Sequence, residues 1–242
     1  MISYEKFCEN CAGVRARVAE ACSKNGRAAD EVKILPVTKN HPVDAPLFAA
    51  RAGFSAVGEN RVRETLEKKP LYEQTSGTPP LAWELIGHLQ SNKARHAAET
   101  FSRIQSVDSV ALAQKLDRVC AELGRETLPV LLQANAGSDP AKFGVADFSA
   151  LRELAEAAFS GTHLRVDGLM CVAPIDDDSL ETAARAFETL RTWRDKLENE
   201  FGKKLPELSM GMTHDLEAAV AAGSTMIRVG TALFGERDYG NA

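Results

Sequence analysis

What most limits the fold of this chain is a rhythm. Eight short apolar runs, at 34–37, 55–60, 82–88, 103–107, 129–135, 165–172, 207–211 and 225–230, alternate with helical patterns. Those patterns fall at 43–52, 61–69, 91–100, 110–124, 147–159, 179–201 and 215–222. A helix of about a dozen residues between consecutive strands is the connection that parallel pairing needs. Parallel strands covered by helices are buried on both faces, so they read as continuous apolar runs instead of alternating ones. Eight such units over about 210 residues predict an α/β fold, a (β/α)8 TIM barrel near the small end of its size range. A doubly wound open sheet is the runner-up, but the glycine-rich Gly-x-Gly-x-x-Gly turn after an early strand is missing. Residues 3–24 carry a further helical pattern, with Phe7, Cys11, Val14 and Val18 on one face. We expect residues 1–30 to pack outside the barrel, and 1–242 to form one domain.

Lys+Arg 29 against Asp+Glu 34 leaves a net charge of −5, so no bulk positive field draws nucleic acid or an anionic membrane. No apolar run approaches the ~20 residues that span a bilayer. The start, Met-Ile-Ser-Tyr-Glu-Lys, lacks the basic and apolar regions of a secretory signal, and cytoplasmic residence is the default. Cys8 and Cys11 form a Cys-x-x-Cys, but it lies in a helical pattern with no second pair or nearby histidine. Two small helix residues three apart is the favoured account.

In a barrel, chemistry gathers where the strands end. Lys39 stands at the carboxyl end of the first apolar run. A lysine there is either solvated at the surface or partly desolvated, and desolvation moves an ammonium toward a nucleophilic amine. The seventh and eighth strand ends, 209–212 and 228–231, hold Gly211 and Gly230 with Ser209 and Thr231. Glycine lets backbone N–H groups come close to an anion, and hydroxyls add donors. Thr213, Asp215 and Glu217 read equally well as a plain helix start. A lysine on strand one facing an anion cradle on strands seven and eight points to pyridoxal 5′-phosphate (PLP), whose aldehyde condenses with an amine while its phosphate is anchored opposite. Arg228 is then placed to meet the pyridine nitrogen, or else to form a salt bridge at the rim.

The runs Val37-Thr38-Lys39, Val57-Gly58-Glu59-Asn60, Trp83 through Lys93, Gly168-Leu169-Met170, Leu208 through Met212 and Ile227 through Gly235 together resemble the pyridoxal phosphate homeostasis protein family. The resemblance spans about residues 32–239. It implies a monomeric fold-type III barrel like the amino-terminal domain of alanine racemase, with PLP as a Schiff base on Lys39. It implies phosphate contacts from Ser209, Met212, Gly230 and Thr231, a pyridine-nitrogen contact from Arg228, and Asn60 beside the ring. Departures from the family pattern occur at His88, at Thr213-His214 and at Asp139-Pro140-Ala141-Lys142. The roles of His88 and His214 stay open.

The function expected is a non-enzymatic one: binding PLP, buffering it, and delivering it to PLP-dependent apoenzymes. A racemase-like enzyme is the alternative. An arginine at the pyridine nitrogen keeps that nitrogen neutral, which weakens the cofactor as an electron sink. Racemisation also needs a base on each face of the α-carbon. The resemblance implies that the racemase takes its second base, a tyrosine, from another domain, and Tyr4, Tyr72 and Tyr239 lie at no expected strand end.

Overall fold

The computed structural model describes residues 1–174 and 180–235. Eight parallel strands form one sheet: β1 (Lys33–Pro36), β2 (Ala56–Glu59), β3 (Ala82–Leu85), β4 (Arg103–Val107), β5 (Leu128–Gln133), β6 (Leu164–Met170), β7 (Glu207–Ser209) and β8 (Met226–Val229). Their spatial order is β1-β8-β7-β6-β5-β4-β3-β2. The two ends of that order meet through a parallel bridge between Val37 and Gly58, with Thr38 N–H donating to the Gly58 carbonyl at 3.0 Å. The sheet therefore closes into the expected (β/α)8 barrel. Leu35, Val57, Leu85, Ile104, Leu132, Leu169, Leu208 and Ile227 are buried, which is why the strands looked apolar throughout.

Helices cover the outside: α1 (Tyr4–Lys24), α2 (Asp44–Arg51), α3 (Val62–Glu73), α4 (Ala94–Thr100), α5 (Val110–Leu123), α6 (Phe148–Ser160), α7 (Leu180–Phe201), α8 (Leu216–Ala221) and α9 (Thr231–Phe234). Their limits follow from local chemistry. Ser3, Ser109 and Asp147 each accept a backbone N–H three residues ahead, opening α1, α5 and α6. Gly124, at φ 66°, turns the chain left-handed to end α5.

Helix α1 packs outside the barrel, burying Phe7, Cys11, Val14 and Val18. It also supports two strand-end loops. Phe7 stacks on Phe234, Asn10 donates to the Leu233 carbonyl, and Arg17 donates to the Thr213 carbonyl and pairs with Glu217. Cys8 and Cys11 are unlinked members of this helix. Burial holds the Cys11 thiol up, to about 11, which makes it inert.

Three details differ from the sequence expectation. Helix α3 runs through Pro70 to Glu73 instead of ending near residue 69. The 91–100 stretch is a 3₁₀ turn, Ser91–Lys93, followed by α4. The eighth loop carries the short α9, which periodicity over four residues cannot announce. Ser179, the expected start of the seventh helix, and Tyr239 lie outside the described residues.

In β6 the ladder slips. Val166 pairs with Val130 and Gly168 with Leu131, leaving Asp167 as an extra residue. Gly168 then lies so close to β7 that a Cβ there would sit 1.9 Å from the Glu207 carbonyl oxygen.

Candidate cofactor site

A cleft of about 360 Å³ opens at the carboxyl end of the barrel, within the size range of small-ligand pockets. Lys39, Asn60, Met212, Arg228, Gly230 and Thr231 all line it. His88, Gln133, Lys142, Phe143 and His214 complete much of the wall. A larger cavity, about 880 Å³, opens at the opposite end, beside Lys33, Glu84, Arg103 and Arg165. Most of the charges that line it are paired: Arg103 with Glu84 and Glu207, Lys33 with Glu207, and Arg165 with Asp167. Size favours that cavity, but the convergent reactive groups lie in the smaller one.

Lys39 follows the end of β1 and is half-buried at the cleft. Beneath it, the Thr38 hydroxyl donates to Glu59 Oε1 at 2.6 Å. Lys68, on α3, donates to the Thr38 carbonyl at 2.9 Å and to Glu59 Oε1 and Glu64 Oε1 at 2.8 Å each. Glu59 is 0% exposed, and its Oε2 has no hydrogen-bond partner among the described residues. Burial outweighs the nearby Lys68 ammonium and pushes the Glu59 carboxyl above its ordinary 4.5. A raised carboxyl favours the folded state only while protonated. Its contribution is complete below pH 4.5 and is lost as pH rises through the raised value. Wild type should therefore lose stability relative to Glu59→Gln as pH rises from 4 to 8, read from urea midpoints. A gap that stays flat or widens in favour of wild type would refute this.

Arg228 is 4% exposed. Among the described residues it forms no rim salt bridge: Nη1 donates to the Ser209 carbonyl at 2.6 Å and the Ser209 hydroxyl at 2.8 Å, and Nη2 donates to the Cys171 carbonyl at 2.7 Å. Desolvation lowers the guanidinium from its usual value, but neutral acceptors pin it in place. These three bonds leave further N–H groups on the fork for an acceptor in the cleft.

Ser209 is the departure among the expected phosphate contacts. It is fully buried, and its hydroxyl donates to Gln105 Oε1 at 2.6 Å while receiving Arg228. It holds the arginine instead of facing the cleft. Met212 lines the cleft, but its N–H donates to Asp215 Oδ1 at 2.5 Å. Gly211, at φ 96°, is required by packing, since a Cβ would meet that of Ala219 at 2.5 Å. Gly230 is different. A Cβ there would find only ordinary contact, 3.4 Å from the Val37 carbonyl, so the protein interior does not require glycine. The space stays open at the start of α9, where the first N–H groups, Thr231 included, have no intrahelical acceptor.

The sequence alone leaves the role of His88 open. It meets Asp108 Oδ2 through Nδ1 at 3.0 Å and stacks on Phe143 with ring centroids 4.0 Å apart. Phe143 is 56% exposed, and its carbonyl accepts from Gln133 Nε2, while the buried Gln133 Oε1 has no partner among the described residues. That oxygen belongs to a cleft-lining residue and can accept from a ligand donor.

A closed (β/α)8 barrel whose carboxyl-end cleft gathers a half-buried lysine after β1, a buried arginine within β8 and an open glycine turn just after it has the architecture of an alanine racemase N-terminal domain. The chain belongs to the alanine racemase N-terminal domain family, whose pattern matches residues 15–238, and within it to the pyridoxal phosphate homeostasis proteins. The homeostasis protein of Pseudomonas aeruginosa is 41% identical over 234 residues, covering 96% of each chain. PipY of Synechococcus elongatus, solved with PLP bound, is 38% identical with a TM-score of 0.80, covering 95% of this chain and 100% of its own. Alanine racemase of Clostridium difficile shares the fold at 16% identity, with a TM-score of 0.76, over 98% of this chain and 58% of its own.

Proposed function

We propose that this chain binds PLP in the cleft, holds it as a Schiff base on Lys39, and buffers or delivers it without turning over amino acids. The observation that carries the reading is the convergence of Lys39, Arg228 and the Gly230–Thr231 turn on one cleft. PLP supplies an aldehyde that condenses with a primary amine and releases water. Lys39 supplies the amine, Arg228 donates to the ring nitrogen, and Asn60 borders the ring. Gly230 and Thr231 take the phosphate through backbone N–H groups, with Met212 beside them. Ser209 acts one step back, by orienting Arg228.

Such an arginine keeps its own proton and leaves the ring nitrogen neutral, which suits storage better than carbanion chemistry. The homeostasis names of the relatives support the same reading. We place the protein in the cytoplasm as a single-domain monomer, with apoenzymes that use PLP as its partners. The test is the visible spectrum of the purified protein before and after PLP is added, followed by borohydride reduction and peptide mass mapping. A reduced adduct on Lys39 supports the reading, and its absence refutes it.

Because backbone donors survive side-chain truncation, Thr231→Ala should weaken PLP binding by only about 1–2 kcal/mol, the scale of one charge-assisted hydrogen bond. Gly230→Phe should weaken it more, by filling the approach itself. Equal and negligible effects in a titration would move the phosphate elsewhere.

One observation favours a second reading, a racemase-like enzyme. His88, oriented by Asp108, is a potential base in the same cleft as Lys39. Incubating the loaded protein with L-alanine in deuterated water separates the two. Sustained α-proton exchange that is lost in both Lys39→Ala and His88→Phe would establish the enzyme.

A further inference from the structure

The side chain of a lysine is a long, flexible stem, so where its amine can reach depends on where its backbone is held. Here both neighbours of Lys39 are held by residues from a different part of the chain. On one side, Thr38 is fixed at three atoms: its N–H by the Gly58 carbonyl, its hydroxyl by Glu59 Oε1 and its carbonyl by Lys68 Nζ. On the other side, Asn40 takes a left-handed φ of 58°, which non-glycine residues seldom adopt, while its N–H donates to Glu64 Oε1 at 2.5 Å. The two sides are tied together by Lys68, whose ammonium reaches Thr38, Glu59 and Glu64 at once.

We propose that Thr38, Glu59, Lys68 and the partly exposed Glu64 form a clamp that positions Lys39 for condensation with an aldehyde in the cleft; this rests on the reading of Lys39 as the PLP lysine. A seal between β1 and β2 needs only apolar side chains, and burying an ammonium with two carboxylates carries a desolvation cost that such a seal avoids. What the charged arrangement adds is direction. It fixes the chain before and after Lys39, and it uses the three protons of Lys68, so that this second buried lysine is no rival for the aldehyde. These are positioning residues: none of the four borders the cleft. The chemistry stays with Lys39, whose amine nitrogen bonds to the aldehyde carbon while the carbonyl oxygen leaves as water.

The test is stopped-flow absorbance on the full-length protein mixed with increasing PLP, comparing wild type with Thr38→Val, Thr38→Ser and Lys68→Met. Saturation separates a half-saturating concentration, set by docking of the phosphate and ring, from a limiting rate, set by the approach of the lysine. In Thr38→Val and Lys68→Met the limiting rate should fall about ten-fold or more at unchanged half-saturation, the penalty of a reactive group displaced by a fraction of an ångström. Thr38→Ser, which keeps the hydroxyl, should restore the wild-type rate. An unchanged limiting rate in folded Thr38→Val, checked by its thermal melt, would overturn the clamp. So would limiting rate and half-saturation that worsen in proportion, as in general disruption of the cleft. Lys68→Met removes a buried charge and risks misfolding, and Thr38→Val decides the matter in that case. If borohydride places the wild-type adduct on another lysine, the assignment of Lys39 fails before any variant is compared.

Discussion

Lys39→Ala should abolish covalent PLP capture. The visible band formed on adding PLP should be absent, and borohydride should leave no cofactor mass on the protein. The cleft wall carries one other described lysine, Lys142, and a reduced adduct there in Lys39→Ala would mark it as a substitute amine. Lys68 is the nearby buried lysine, and it is bound to Thr38, Glu59 and Glu64. The donors proposed for the phosphate at Gly230 and Thr231, and for the ring at Arg228, remain in the variant. Noncovalent binding should therefore persist at reduced affinity, and equilibrium dialysis should still detect it. A full-strength band in Lys39→Ala would remove the central assignment.

The second large effect concerns folding. Gly168→Ala places a methyl group 1.9 Å from the Glu207 carbonyl oxygen, 2.6 Å from its carbon and 2.9 Å from its Cα. All three are backbone atoms of β7, so no side-chain rotation relieves the clash. Either β6 and β7 separate or the bulge at Asp167 is lost, and β7 supplies the Ser209 that holds Arg228. We expect a loss of more than about 3 kcal/mol, the upper range for overpacking, because the obstacle is main chain. Chemical denaturation with intrinsic tryptophan fluorescence measures it. By contrast Gly13→Ala, where nothing lies within 4 Å of the added carbon, should leave stability unharmed. A small loss in Gly168→Ala would show that the strands tolerate separation.

The barrel was legible because strands buried on both faces leave unbroken apolar runs, and because the helical stretches are long enough to show their period. Lys39 was legible for a local reason, an ammonium at the end of one such run. The contacts around it were not. Ser209 and Thr231 look alike as hydroxyls at strand ends, yet one turns under to Gln105 and Arg228 while the other borders the cleft. That choice is made by strand register, which a single strand end does not reveal. Gly211 and Gly230 look alike as well, and only α8 behind Gly211 shows that its reason is packing. The clamp joins residues 9 and 30 positions apart, and Lys68 sits in an ordinary charged segment, Glu67-Lys68-Lys69. One signal was available. Val62, Thr65, Lys68 and Tyr72 share the buried stripe of α3, and a lysine on such a stripe requires a buried partner.

The closure of the barrel has a consequence for its slow motions. Seven strand pairs are joined by ladder pairing, and the eighth junction is pinned by the Val37–Gly58 bridge with the Thr38 side chain beside it. Transient opening of a cyclic sheet should begin at its weakest junction, and that junction lies directly under Lys39. A ligand that binds only the closed form raises the free energy of opening in proportion to its occupancy. PLP loading should then be written into amide exchange: the Thr38 amide, which donates across this junction, should exchange fastest among the strand-end amides in the empty protein and slow most when it is loaded. The junction that completes the fold thus doubles as a gauge of how full the protein is.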